Sequence, residues 1–275
     1  MGHIRLFDNH IHTAHSHDST CPMQEQLEAA SRMGLAGVAI TEHCDIEYGT
    51  RDFDCIRASY AEVQALKQVY ADQLQVLAGI ELGEPIWDMP LAQFILDELN
   101  FDVVIGSVHA AIFEGATEPY SHIDFSKWDN ARIDAYLHQY FCDVYKTVET
   151  VDFDILAHLT CPLRYIVKKE GYRFDLAKFE EQIEEILRLL IQKGRTLEVN
   201  TSGCRGVLSA TMPDEAILLK YRALGGERIS LGSDAHTSKD TGSHLEQTIE
   251  VLRRCGFTHT VYYRERVCHQ IEIGE

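Results

Sequence analysis

Several histidines and carboxylates of this sequence stand directly after short apolar runs. His10 and His12 end the first such run. In a β-strand, residues i and i+2 point to the same side, so both imidazole rings could bind one metal ion. An isolated histidine is more often a hydrogen-bonded core residue, but comparable donors end five later runs. They are Glu42-His43, Glu81, His109, His158 and Asp234-Ala235-His236. This repetition predicts a metal site.

The elements that position these donors alternate along the chain. β-Branched runs predict strands at 4–9, 37–40, 75–80, 102–105, 153–157, 196–199 and 229–231. Apolar periodicity predicts helices at 24–33, 56–70, 91–99, 131–148, 177–192, 214–224 and 245–255. Without a Gly-rich nucleotide-binding fingerprint, the repeated βα units favour a barrel, although an open doubly wound sheet also fits them. In a barrel, all strand carboxyl ends meet at one rim, so the donors would converge there.

The charge and composition limit the class of protein. The chain has 25 basic and 43 acidic residues, a formal charge of −18, which disfavours a nucleic-acid partner. No apolar run reaches the roughly 18 residues of a membrane span, so we expect no membrane partner and a cytoplasmic location. The eight cysteines form no CxxC pair and no Ser/Gly/Pro-rich linker divides the sequence. We therefore predict reduced thiols and one domain over residues 1–275.

The donors occur in a pattern that resembles a known family. The pattern consists of His10-x-His12-Thr13, Ser16-x-Asp18, Thr41-Glu42-His43, Glu81, His109, His158 and Asp234-Ala235-His236. Over almost the whole chain it resembles the PHP (polymerase and histidinol phosphatase) superfamily of metal-dependent phosphoesterases. The resemblance implies an α/β fold, a distorted (β/α)7 TIM-like barrel, that holds two or three divalent metal ions.

The resemblance also implies how the ligands are shared among the ions. One ion would be bound by His10, His12, Glu81 and Asp234, and a second by Glu81, His109 and His158. A third would be bound by Asp18, His43 and His236, with His15 and His17 as alternatives to Asp18. All these donors are nitrogen or oxygen atoms, which suit Zn²⁺, Mn²⁺ or Fe²⁺ without choosing among them. The residues implied to act in catalysis as well are Glu81, Asp234, His43 and His236.

Two further segments, 106–109 and 197–203, resemble the histidinol-phosphatase branch of this superfamily. This implies hydrolysis of a small phosphomonoester, L-histidinol phosphate, by a metal-bound hydroxide. The branch commonly has an acidic residue soon after the histidine that corresponds to His158, and this chain lacks it, which leaves recognition of the substrate amine open. Arg164 and Arg205 are predicted to bind the phosphate. A surface salt bridge is the alternative for each.

Three other functions are compatible with the sequence. The first is a PHP-type phosphoesterase or nuclease that acts on another small phosphate ester or nucleotide. The second is an amidohydrolase-type hydrolase, although that fold typically needs a carbamylated lysine where this chain has His109. The third is a non-catalytic metal-binding regulatory domain, but loss of catalysis usually removes ligands and this set is complete.

Overall fold

The computed structural model describes residues 6–274, and at Thr50 the backbone alone. Its strands are β1 (Phe7–Ile11), β2 (Gly37–Ile40), β3 (His43–Asp45), β4 (Gln75–Gly83), β5 (Val103–Ser107), β6 (Ile155–Leu156), β7 (Thr196–Asn200), β8 (Ile229–Gly232), β9 (His259–Arg264) and β10 (Val267–Glu272). Its helices are α1 (Met23–Arg32), α2 (Thr50–Val69), α3 (Met89–Glu98), α4 (Asn130–Thr150), α5 (Leu163–Ile166), α6 (Glu180–Gln192), α7 (Glu215–Ala223) and α8 (Leu245–Arg254). Residues 4–5 of the first predicted strand lie outside the described residues.

Seven parallel strands form a barrel in the order β1-β2-β4-β5-β6-β7-β8. The two ends of this sheet meet through backbone hydrogen bonds. His12 N donates to Ala235 O (2.9 Å), and Asp234 N donates to His10 O (2.8 Å). These bonds join β1 to the segment after β8 at the carboxyl end of the barrel. The predicted α/β class and (β/α)7 barrel are confirmed.

The structure adds three strands to the seven predicted ones. β3 runs parallel to the second half of β4 and pairs His43 with Glu81 and Asp45 with Gly83. Three residues are too few to show an alternating pattern, which is why the sequence does not predict this strand. β9 and β10 form a separate antiparallel hairpin. All six residues of β10 are exposed or half-buried, so its sequence lacks the continuous apolar run of a barrel strand.

The structure contains the seven long helices that the sequence predicts, but some of them begin or end at other residues. α2 begins at Thr50 instead of 56, and the short helix α5 was not predicted. α6 buries Ile183, Ile186, Leu187 and Leu190, the three- and four-residue spacing expected of a helix that covers a barrel. Among residues 6–274, no helix has both the length and the apolarity to cross a lipid bilayer.

The barrel interior has an apolar lower half and a polar rim. Side chains alternate along a strand, and on β4 the inward positions run from Leu77 through Gly79 to Glu81. Leu77 packs in one buried apolar cluster with Val261 and Tyr263 of β9, so the hairpin covers the amino-terminal end. This apolar layer supports Glu81, which is fully buried at the opposite, carboxyl-terminal end.

Candidate metal centre

Glu81 lies at the centre of the rim, and its two carboxylate oxygens face different histidines. Oε2 is 3.2 Å from His10 Nε2 and 2.9 Å from His43 Nδ1. Oε1 is 3.1 Å from His109 Nε2 and 2.9 Å from His158 Nε2. These histidines come from four different strand ends, so the predicted convergence at one rim is present. Glu81 has the arrangement expected of a carboxylate that is shared between two ions.

Asp234 forms the second acidic contact of the cluster. Its Oδ1 is 3.4 Å from His12 Nε2 and 3.5 Å from His236 Nδ1. The backbone of Asp234 has φ 53°, in the left-handed region that non-glycine residues seldom adopt. Such backbone strain persists where the surroundings impose it, and here it turns the chain after β8 so that both Asp234 and His236 face the cluster.

In the loop between β1 and α1, Asp18 lies at the cluster and His15 does not. Asp18 Oδ2 is 3.0 Å from His236 Nε2 and 3.5 Å from His43 Nε2. The ring of His15 is directed away and contacts Glu62 at 2.6 Å. His17 lies near the cluster, with its ring centroid 5.2 Å from that of His43. The geometry thus favours Asp18 among the three candidates and separates His15 from the site.

The donors fit a group of divalent ions. Among the described residues, five sets place their ligand atoms within 4.8 Å of one another. Three consist of predicted ligands: His10 with Glu81 and His158, His10 with His12 and Asp234, and His12 with His43 and His236. The other two include Asp45: His43 with Asp45 and His109, and His17 with Asp45 and Asp52. Buried polar atoms almost always have a hydrogen-bond partner. His158 Nδ1 forms no hydrogen bond, although Nε2 of the same ring faces Glu81. Five further buried atoms of the predicted ligands also form none: His10 Nε2, His12 Nε2, His43 Nδ1, Glu81 Oε2 and His236 Nε2. Metal coordination would satisfy them. Because the sets share residues, the division of ligands among ions stays a prediction.

The electrostatics of the cluster favour ionised carboxylates. Burial alone would raise the pKa of Glu81, but His10, His109 and His43 outweigh it and hold that pKa well below its usual range. Burial and repulsion by His43 and His236 lower the pKa of His12 well below its usual range, which favours the neutral, metal-binding ring.

The carboxyl group of Glu84, beside the cluster, has a raised pKa instead of a lowered one. Burial, reinforced by the charge of Asp45, raises the pKa of Glu84 to about 8. Glu84 accepts hydrogen bonds from the backbone N–H groups of His109 and Ala110. Near neutral pH the Glu84 carboxyl is therefore largely protonated, and it adds little negative charge beside the cluster.

Two carboxylates that the sequence reasoning missed lie behind the predicted ligands. Asp45 Oδ1 is 3.1 Å from His109 Nδ1, and Glu198 Oε1 is 2.7 Å from His10 Nδ1. Each contacts the ring nitrogen that faces away from Glu81. Asp45 stands two residues after His43, the same spacing as in His10-x-His12, so this signal was present in the sequence. Glu198 lies inside the predicted strand 196–199, between Leu197 and Val199, so a carboxylate in a buried strand was a signal in the sequence, but its contact with His10 was not.

A cavity opens above the cluster, and His43, His109, His158 and Asp234 line it. Arg164 lies on its wall, as predicted for a phosphate-binding residue, and donates from Nη1 to Ser202 Oγ (3.0 Å). The loop residues Pro119–His122 line the cavity together with Tyr165 and Tyr48.

Arg205 does not line this cavity. Its guanidinium donates to Ser233 O (2.7 Å) and Asp234 O (3.0 Å), which holds the left-handed turn after β8. In this structure the guanidinium of Arg205 is thus hydrogen-bonded to backbone carbonyls of the turn after β8, and its contact with phosphate stays a prediction.

The fold and the rim together define a (β/α) barrel protein with a candidate multinuclear metal site. Residues 8–202 match the PHP domain family, and the chain belongs to that family. The predicted resemblance is confirmed at this level.

Relatives and solved structures of similar length match the chain. It is 28% identical over 261 residues to the "Histidinol-phosphatase" of Lactococcus lactis subsp. lactis, covering 92% of this chain and 93% of the relative. It is 25% identical over 270 residues to the "Probable histidinol-phosphatase" of Clostridium acetobutylicum, covering 95% and 98%. A crystal structure of histidinol phosphate phosphatase from Lactococcus lactis, complexed with zinc, L-histidinol and phosphate, has a TM-score of 0.81 and 24% identity, covering 97% of this chain and 100% of that one.

Proposed function

We propose that this protein is a metal-dependent phosphatase that hydrolyses L-histidinol phosphate to L-histidinol and inorganic phosphate. The observation that carries the proposal is the position of Arg164 on the wall of the cavity above the histidine and carboxylate cluster. Within residues 6–274, it is the only arginine or lysine on that wall. A guanidinium forms strong charge-assisted hydrogen bonds to phosphate. The histidinol-phosphatase relatives from two organisms support the choice of substrate.

We propose that two or three divalent ions are held by the ligand sets implied by the family, with Asp18 as the first-loop ligand. Bound ions would neutralise the phosphoryl oxygens and lower the pKa of a bound water. The zinc in the Lactococcus structure supports Zn²⁺, and Mn²⁺ and Fe²⁺ suit the same nitrogen and oxygen donors. The proposed ligands are His10, His12, Asp18, His43, Glu81, His109, His158, Asp234 and His236.

Some residues of the chain bind the substrate phosphate, and others hold those residues and the metal ligands in position. Arg164 grips the phosphate, and Ser202 fixes the orientation of Arg164 through the hydrogen bond to its Nη1. Glu81 and Asp234 act in catalysis as fixed negative charges beneath the reacting phosphoryl group. His43 and His236, whose ring centroids are 5.7 Å apart, would bind an ion together with Asp18 and in this way also act in catalysis. Arg205 holds Asp234 in place from below.

Three broader properties belong to the same proposal. One domain over residues 1–275 is supported by the contact between β1 and β9, in which the Phe7 and Tyr262 rings stack 4.5 Å apart. A cytoplasmic location is supported by the eight free thiols, because disulfides are rare in that compartment. A small phosphomonoester partner instead of nucleic acid is supported by the formal charge of −18.

The decisive experiment is metal analysis of the purified protein followed by a phosphate-release screen. The substrates are L-histidinol phosphate, other small monoesters, a dinucleotide and single-stranded DNA, compared at equal concentrations of ester bonds and moderate salt. We expect release from L-histidinol phosphate to be fastest, to stop on chelation, and to return with Zn²⁺ or Mn²⁺. Full activity in a metal-free sample would contradict the mechanism. Robust cleavage of DNA with no release from the monoester would instead indicate a nuclease.

A further inference from the structure

Glu198 is the inward-facing residue at the middle of β7, and it is fully buried. It does not line the cavity. Its Oε1 is 2.7 Å from His10 Nδ1. Its Oε2 accepts hydrogen bonds from the His158 backbone N–H (2.7 Å) and from Asn200 Nδ2 (3.2 Å). Glu198 thus connects two strands that carry predicted ligands, β1 and β6, from a strand that carries none.

We infer that Glu198 is a positioning residue that fixes which nitrogen of His10 is free to bind metal. Glu198 Oε2 already accepts hydrogen bonds from two N–H donors, His158 N and Asn200 Nδ2, and a carboxylate oxygen likewise accepts from the ring nitrogen that it contacts. Contact with Glu198 Oε1 therefore places the ring proton of His10 on Nδ1. The lone pair is then on Nε2, the nitrogen that faces Glu81 at 3.2 Å and has no hydrogen bond of its own. A carboxylate behind a ligating histidine generally fixes the ring orientation and strengthens metal binding in this way.

Gly232 on β8 leaves the space in which Glu198 and His10 contact each other. A Cβ at this position would lie 2.7 Å from His10 Cβ and would also clash with Glu198 Oε1. The φ of Gly232 is not in the left-handed region, so the backbone does not require glycine there. The absence of a side chain makes room for the pair of Glu198 and His10.

The inference rests on the proposed metal-dependent function, and the sharpest test is Glu198→Gln. The His158 N–H is a fixed donor, so the carbonyl oxygen of the glutamine must remain on it. Asn200 cannot reverse its amide, because its Oδ1 already accepts from Ser202 N (2.9 Å) and Ser202 Oγ (2.7 Å). The glutamine NH₂ must then face His10 Nδ1. This contact moves the ring proton to Nε2, and a protonated nitrogen cannot bind metal.

The matched control is Asp102→Asn, the same change of carboxylate to carboxamide at the opposite end of the barrel. Asp102 is buried and accepts from the backbone N–H groups of Ala78 (3.0 Å) and Glu265 (3.0 Å). The measurements are Zn²⁺ affinity by competition with a chromogenic chelator, bound metal after dialysis, and Tm with and without Zn²⁺. Together they separate loss of metal binding from loss of folding.

We expect Glu198→Gln to weaken Zn²⁺ binding by about 10- to 100-fold, the usual effect of removing such a partner. Its Tm without metal should fall no more than that of Asp102→Asn, while the rise in Tm on adding Zn²⁺ should shrink. Asp102→Asn should keep the wild-type affinity. If Glu198→Gln does not fold, Gly232→Ala is the second variant: its Cβ would clash with both Glu198 Oε1 and His10 Cβ, so it disturbs the contact between the two residues and should weaken Zn²⁺ binding in the same direction.

Two results would count against different statements. Wild-type Zn²⁺ affinity in folded Glu198→Gln, or in folded Gly232→Ala, would overturn the role of Glu198 and leave the proposed function intact. A wild-type protein that binds no Zn²⁺, Mn²⁺ or Fe²⁺ would overturn the proposed function itself, and this inference with it.

Discussion

Replacement of Arg164 by alanine tests how the phosphate is bound. The side chain is 38% exposed, donates to Ser202 Oγ at 3.0 Å, and lies 4.0 Å from Asp234 Oδ2. Its remaining N–H donors are available to a ligand in the cavity. A hydrogen bond to a charged group contributes about 1.5–3 kcal/mol, and about 1.4 kcal/mol corresponds to a tenfold change in rate. We therefore expect Arg164→Ala to lower kcat/KM for L-histidinol phosphate by about 10- to 150-fold.

Initial rates of phosphate release over a range of substrate concentrations separate two versions of this role. If Arg164 binds the phosphate equally in the ground state and the transition state, KM rises and kcat is unchanged. If the contact strengthens as charge develops, kcat falls as well. Arg164→Lys keeps the charge but loses the planar fork, so its kcat/KM should be intermediate. Arg188→Ala is the control, because Arg188 is an exposed residue paired with Glu184 on α6.

Metal content must be measured in the same Arg164→Ala samples, since Arg164 also lies near Asp234. A loss of activity that follows a loss of metal would indicate a structural contact to Asp234. Wild-type kinetics with every phosphate ester tested would refute the reasoning. Arg164 would then have only a structural role, through its contacts with Ser202 and Asp234.

Three further substitutions test other parts of the structure. Glu81→Gln should lower metal content and remove most phosphate release, whereas His259→Ala on the hairpin should change neither; equal effects in metal analysis and activity assays would contradict the site. Arg205→Ala should mainly lower kcat, with little change in KM, because it removes the hydrogen bonds that hold the left-handed turn at Asp234. A rise in KM with unchanged kcat would instead support the predicted contact of Arg205 with phosphate. Burial raises the pKa of Asp154 from 3.8 to about 6. The folded state therefore holds the proton more tightly, and urea unfolding should show stability falling by up to about 3 kcal/mol as pH rises from about 4 to about 6. Asp154→Asn should remove this fall in stability between about pH 4 and about pH 6. If stability depends on pH in the same way in Asp154→Asn, other groups cause the fall.

The barrel was predictable because its strands are buried on both faces and its helices on one. Strands of this kind form continuous apolar runs, and helices such as α6 carry a regular apolar stripe. β3 and the hairpin lack both signals. β3 has three residues, and its pairing with β4 depends on where the longer strand β4 passes. Such pairing is set by tertiary contacts that no local pattern records.

The metal cluster was predictable for a topological reason, whereas the contacts of the residues around it depend on packing. Parallel barrel strands bring their carboxyl ends to one rim, so donors at strand ends must meet. Arg164 and Arg205 look alike in sequence, since each follows a strand end closely. Only the packed structure shows that Arg205 contacts backbone carbonyls while Arg164 lines the cavity. Glu198 likewise acts through a contact with His10, 188 positions away in the chain.

The charge of the cavity wall links phosphate binding to metal binding. The wall carries Asp18, Asp45, Glu47 and Asp234 against the single guanidinium of Arg164. Protonation of Glu84 removes one negative charge, and histidines that bind metal are neutral, so without the charge of the ions themselves the remaining carboxylates would still repel a phosphate dianion. Attraction therefore requires the positive charge of bound ions, which acts over a short distance and is screened by salt beyond about 10 Å. A small monoester lies wholly within that range, whereas a long polyanion must also cross the acidic surface of a chain with formal charge −18. The same charge distribution thus favours the small substrate and disfavours the nucleic acid.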